Sequence, residues 1–127
     1  MEWSESLELG VPMIDADHQE SIALANAARD ADDSRFAERF EAFAEHLREH
    51  FERENALMEQ HAFFAAHCHQ EEHDRVLAEV DDMLARLRRG SPADARAYVR
   101  DGFPVWFQTH HATMDFVTAN HILSQVG

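Results

Sequence analysis

Between residues 36 and 57 the chain carries a helical stripe in which two members are polar. Phe36, Phe40, Phe43, Leu47, His50, Glu54 and Leu57 recur at alternating steps of four and three. That spacing marks a helix face turned toward other helices. A histidine and a glutamate therefore stand where the pattern asks for Leu or Phe. An isolated buried carboxylate costs several kcal/mol unless it is paired or coordinates a metal. The stripe thus demands partner helices and something cationic among them.

The same rhythm returns twice downstream. Ala66, His69, His73, Val76, Val80, Met83 and Leu87 form one further stripe, and Val99, Phe103, Trp106, His110, Thr113 and Val117 another. Breakers divide the chain accordingly. Gly10 and Pro12 keep about the first fifteen residues extended, and a first helix is expected over about residues 16–30, capped by Asp15 or Asp17. Asp30-Ala31-Asp32-Asp33-Ser34 reads as a turn ending in an N-cap, with Glu38 near enough to assist, before a second helix over about residues 35–60. The stretch from His61 to Ala66 reads equally as a short break or a continuation. A third helix ends at Arg88-Arg89-Gly90-Ser91-Pro92, with Pro92 opening the fourth and Pro104 a candidate kink. Short connections favour antiparallel neighbours, so the expectation is an all-α, up-down-up-down four-helix bundle with an extended N-terminal lead, forming one domain over residues 1–127.

Composition narrows the partners. A net charge of −14 repels phosphate backbones and anionic headgroups, which argues against nucleic acid and membrane surfaces. No apolar run approaches the roughly 20 residues of a membrane helix. The acidic first residues do not read as a signal peptide, and a single cysteine, Cys68, cannot close an internal disulfide, so the cytoplasm is the expected compartment.

Ten histidines stand against 11 Lys+Arg, and several of them are organised. His50-x-x-x-Glu54 and His69-x-x-x-His73 each place two donors on one helix face about one turn apart. His18 and His110 add further donors. Imidazole with a minority of carboxylates and no thiolate suits iron, zinc, copper or manganese better than magnesium or calcium. Six or seven donors exceed the needs of one tetrahedral zinc. Two metals are implied, with carboxylates as natural bridges.

These residues resemble the hemerythrin family, specifically its bacterial oxygen-binding domains. The matching positions are Trp3 and Gly10 ahead of Ile14-Asp15-x-x-His18, then His50-Phe51-x-x-Glu54 with Leu57-Met58, then His69-x-x-Glu72-His73, and finally Trp106-x-x-x-His110-x-x-x-x-Asp115. The resemblance implies two iron ions bridged by Glu54, Asp115 and a solvent-derived oxo or hydroxo group. One iron would take His69, His73 and His110, the other His18 and His50, leaving one position for dioxygen. Phe51, Trp106 and Phe107 would line the dioxygen pocket. Nitric oxide and small anions such as azide are further ligands for the open position. The implied activity is reversible dioxygen binding for storage, delivery or sensing, not catalysis. The alternative is a di-iron enzyme with peroxidase, nitric-oxide-handling or ferroxidase-like activity, and a third reading is an interaction domain stabilised by metal.

Two features depart from a simple match. His110 and Asp115 are five residues apart, a rotation of about 140° on an ideal helix, whereas His111 and Asp115 are four apart and aligned. His110 nevertheless continues the stripe and is the expected ligand. Ser21 and His111 occupy pocket positions that are commonly aliphatic in the family, where polar side chains would bond the bound ligand or admit water, unless both point away. His46, His61, His67 and His121 fall off the stripes or near helix ends and are expected to be non-ligands. Cys68 is expected to be a small buried or interfacial residue.

Overall fold

The computed structural model describes residues 1–126, and these residues form helices and turns. After a lead containing one 3₁₀ turn (Glu5–Leu7), helix α1 spans Pro12–Asp30, α2 Phe36–Gln60 and α3 Ala66–Arg88. A fourth helical stretch is built from α4 (Ala93–Ala97), α5 (Phe103–His110) and α6 (Phe116–Val126), joined by π-helical turns at Tyr98–Gly102 and His111–Asp115.

Helix α1 starts earlier than the breakers suggest. Pro12 occupies its first turn, where the missing N–H costs nothing and the ring presets φ. No side chain caps this end. Asp15 instead accepts hydrogen bonds from the backbone N–H groups of Leu9 (2.8 Å) and Gly10 (3.1 Å), tying the lead to the first turn. Gly10 makes the bend at φ 90°, and a Cβ there would stand 3.3 Å from Leu123.

The connection before α2 is held by Asp32 and not by Ser34. The Asp32 carboxylate accepts from the Arg35 N–H at 3.0 Å and from the Ser34 hydroxyl at 2.7 Å. The stretch after α2 is a genuine break: Ala62 turns at φ 48°, and the Phe63 N–H reaches back to the Met58 carbonyl at 2.9 Å. The buried Phe63 side chain then seats the turn.

The fourth stretch corrects the periodic expectation most clearly. A π turn inserts one extra residue into the helix and shifts everything beyond it. Past His110 the buried positions are therefore His111, Asp115, Thr118, Ala119 and Ile122, whereas Thr113 is exposed and Val117 is 43% exposed. Pro104 lies in the first turn of α5, directly after the other π turn, where its lack of an N–H is tolerated.

Neighbouring helices are tied at matching levels. Asp17 meets His46 and His50, Arg88 meets Glu41 while Glu54 meets His73, and Glu72 meets Trp106 while His69 meets Thr118. A large phenylalanine-rich core contains Phe36, Phe40, Phe43, Phe51 and Phe103 with Val76 and Val80. A smaller cluster, Val11, Ile14, Ala119 and Ile122, closes the other end. The polar stripe members fall between the two, with His18 flanked on α1 by Ile14 and Ile22. Among the described residues no helix is long and apolar enough to cross a membrane.

Candidate metal centre

Seven buried donors converge from all four helical stretches. His18 comes from α1, His50 and Glu54 from α2, His69 and His73 from α3, His110 from the end of α5, and Asp115 from the π turn. None is more than 5% exposed. The π turn solves the spacing problem: with one residue inserted, positions five apart return to the same face. His110 Nε2 lies 3.0 Å from Asp115 Oδ1, and His18 Nε2 lies 3.1 Å from Asp115 Oδ2.

Glu54 is the hub. Its Oε1 is 2.8 Å from His69 Nε2 and 3.2 Å from His73 Nε2, and its Oε2 is 3.3 Å from His50 Nε2. Two overlapping donor groups result, each with its atoms within 4.8 Å of one another: Glu54, His69, His73, His110 and Asp115 in one, His18, His50 and Glu54 in the other.

These contacts are close without being good hydrogen bonds. Both Glu54 oxygens, His73 Nε2 and Asp115 Oδ1 are buried with no hydrogen-bond partner. Buried polar atoms normally have partners, so a cluster of orphans aimed at a common centre fits a bound cation. The donor set of imidazoles and carboxylates, without thiolate, suits a transition metal such as iron.

A second set of contacts fixes the ring orientations. His50 Nδ1 donates to Asp17 Oδ2 at 3.0 Å, and Arg53 grips the same carboxylate at 2.9 and 2.8 Å. His73 Nδ1 donates to Asn55 Oδ1 at 2.8 Å. His69 Nδ1 lies 2.8 Å from the Thr118 hydroxyl, which turns its own proton toward the Met58 sulfur at 3.9 Å. With Nδ1 occupied, each ring presents its Nε2 lone pair inward. Phe51 stacks on His73 at 4.0 Å and Trp106 on His110 at 4.5 Å, while the Trp106 indole N–H donates to Glu72 at 2.9 Å. Asp17, Asn55 and Thr118 were not anticipated from the sequence. Asp17 and Asn55 adjoin donors in the chain, but no periodic signal marks either, and Thr118 reaches the core only because of the π turn. Replacing Asp17 with alanine is expected to weaken metal affinity by about 10- to 100-fold, measured by competition with a chelator.

Charge is stored in the metal-free centre. Burial and the neighbouring Asp115 charge push the Glu54 carboxyl up, but the imidazoles of His50, His69 and His73 hold it well below the usual range. Burial likewise works against ionised Asp115, and His110, His18 and His69 outweigh it. Burial alone would lower His50 and His69, yet the carboxylates around them raise both to about 9. Burial wins at His73 and lowers it.

The pH dependence follows from the raised values. In the metal-free protein the stability supplied by His50 and His69 is fully present below about 6.5 and is lost as pH rises through about 9. Metal uptake displaces those protons, so affinity strengthens over the same window. Thermal unfolding should show the metal-free midpoint falling from pH 6.5 to 9 while the metal-loaded midpoint holds or rises. Parallel falls in both forms would contradict this.

Beside His18 and His50 lies a small cavity of about 10 Å³, about the room of one water molecule. Ser21, Phe51, Trp106 and Phe107 line it. His111 does not: its Nε2 donates to the Leu7 carbonyl at 2.7 Å, anchoring the N-terminal lead. The remaining histidines lie outside both donor groups. His46 bonds the Asp17 carbonyl, exposed His67 pairs with Glu71, His61 bonds Gln125, and His121 bonds the His61 carbonyl. Cys68 is exposed, which rules out the buried alternative expected of it, because it sits on the solvent side of α3 next to inward-facing His69.

Comparison with known proteins points the same way. The family profile described as "Hemerythrin HHE cation binding domain" matches residues 9–121. A protein named Bacteriohemerythrin from Ralstonia nicotianae is 40% identical over 115 residues, covering 91% of this chain and 83% of the relative. Another of the same name, from Aquifex aeolicus, is 25% identical over 120 residues, covering 91% and 92%.

Proposed function

The chain belongs to the hemerythrin family, and on that premise we propose that it binds dioxygen reversibly at a non-haem di-iron centre, as a store, carrier or sensor and not as an enzyme. His69, His73 and His110 would hold one iron and His18 and His50 the other, with Glu54 and Asp115 shared between the two. Glu54 belongs to both donor groups, which supports its bridging role. The group that contains His18 and His50 has fewer donors and adjoins the small cavity, so an iron held there would keep a position open. The level-matched ties between neighbouring helices support an up-down-up-down antiparallel bundle. The single exposed cysteine and the acidic surface suit the cytoplasm.

The bound iron pair would supply the electrons for reversible dioxygen binding. The residues of the chain do the rest. Five imidazoles and two carboxylates leave the centre with little net charge to solvate. Phe51, Trp106 and Phe107 wall the cavity with hydrocarbon and limit water, which slows loss of the reduced state. Nitric oxide and small anions such as azide are further candidate ligands for the open position.

The single observation that carries this reading is the cage of unpartnered buried donors beside a small cavity. Iron-loaded, reduced protein should develop new visible absorption in oxygen and lose it when oxygen is removed, over repeated cycles. Rapid irreversible oxidation with turnover of added peroxide would instead favour the di-iron enzyme. No optical response to oxygen would leave only a structural metal.

A further inference from the structure

We propose that the Ser21 hydroxyl is a hydrogen-bond donor to whatever occupies the small cavity, biasing the site toward anionic or proton-accepting ligands such as azide or nitrite. The inference rests on the metal-centre reading above and deepens it.

Ser21 is 2% exposed, and its Oγ has no hydrogen-bond partner. A serine inside a helix normally satisfies itself by donating to the carbonyl four residues back. For Ser21 that carbonyl belongs to Asp17, and it already receives the His46 Nε2 proton at 3.0 Å. The hydroxyl is thus left facing the cavity it lines.

Most of the other walls offer no competing donor, and the Trp106 indole N–H is already given to Glu72. Leu47, Phe51, Phe103 and Phe107 present hydrocarbon. The two ring nitrogens of His50 are directed at Asp17 and Glu54. His18 Nδ1 also lacks a partner, while its Nε2 faces Asp115, so His18 is the second group able to donate here. An unpaired buried hydroxyl is a standing cost to the fold. That cost is recovered when a ligand accepts the proton, and the recovery is larger for an anion, because hydrogen bonds to charged groups are the stronger ones.

The test compares the parent with Ser21→Ala in two measurements. Azide affinity of the iron-loaded, oxidised protein should fall by about tenfold in the variant while iron content stays at the parent's level. Without metal, the unfolding midpoint of Ser21→Ala should equal or exceed the parent's, because the substitution removes an unsatisfied polar group. Equal azide affinity in two fully iron-loaded proteins would overturn the role of Ser21 and leave the metal centre standing. A clearly lowered metal-free midpoint would show that the serine is structural and overturn the role as well. A parent that takes up no iron would overturn both this inference and the function it rests on.

Discussion

Glu54→Ala is expected to leave the protein with a small fraction of the parent's iron, because Glu54 is the one residue common to both donor groups. His50→Ala makes the informative comparison. It removes a donor from the smaller group only, so the five-donor group should still retain about one ion. Elemental analysis of the two purified variants separates these outcomes, and equal loss in both would contradict a shared bridge. The same substitution should destabilise the metal-free chain. It leaves His50 and His69, raised to about 9 by nearby carboxylates, without their central counter-charge. Breaking a buried pair from one side costs about 3–5 kcal/mol, which denaturant unfolding of the metal-free protein would register.

The second large effect lies away from the metal. Phe43→Ala is expected to lower stability by about 3–5 kcal/mol with or without iron, since it empties a fully buried position. The Phe43 ring packs edge-on against Phe103 at 4.9 Å and lies 5.9 Å from Phe40 and 6.3 Å from Tyr98. It therefore joins α2 to the fourth helical stretch. Equilibrium unfolding in denaturant checks it. A loss confined to the iron-loaded protein would mean that this core depends on the centre and does not stand independently of it.

How far the sequence alone could be read depends on how straight each helix is. The stripes of α2 and α3 keep the period of an ideal helix, so Phe36 through Glu54 and His69 through Met83 lie buried where the spacing puts them. The fourth stretch does not keep it. Extrapolation past His110 selects Thr113 and Val117, whereas the π turn buries Asp115, Thr118 and Ala119 instead. That same turn reconciles the awkward separation of His110 and Asp115, which straight-helix geometry alone would have resolved toward His111. His111 spends its ring on the Leu7 carbonyl, a contact spanning nearly the whole chain that no local pattern signals.

The supporting contacts were the least legible. Asp17, Asn55 and Thr118 orient the imidazoles through single bonds between different helices. Such bonds leave no periodic trace, because one polar residue on a half-buried face resembles any other. The start of α1 departs from the sequence expectation for a local reason: Pro12 reads as a breaker when its neighbours are unknown, but at the first helical position it is a starter. The Ser21 hydroxyl stands out only once the competing bond from His46 to the Asp17 carbonyl is seen.

Titration of metal-free protein with ferrous iron under strict anaerobic conditions addresses the centre most directly. Two overlapping donor groups sharing Glu54 predict a binding endpoint close to two ions per chain. An endpoint at one ion, or no uptake at all, would contradict the paired centre on which the dioxygen reading depends.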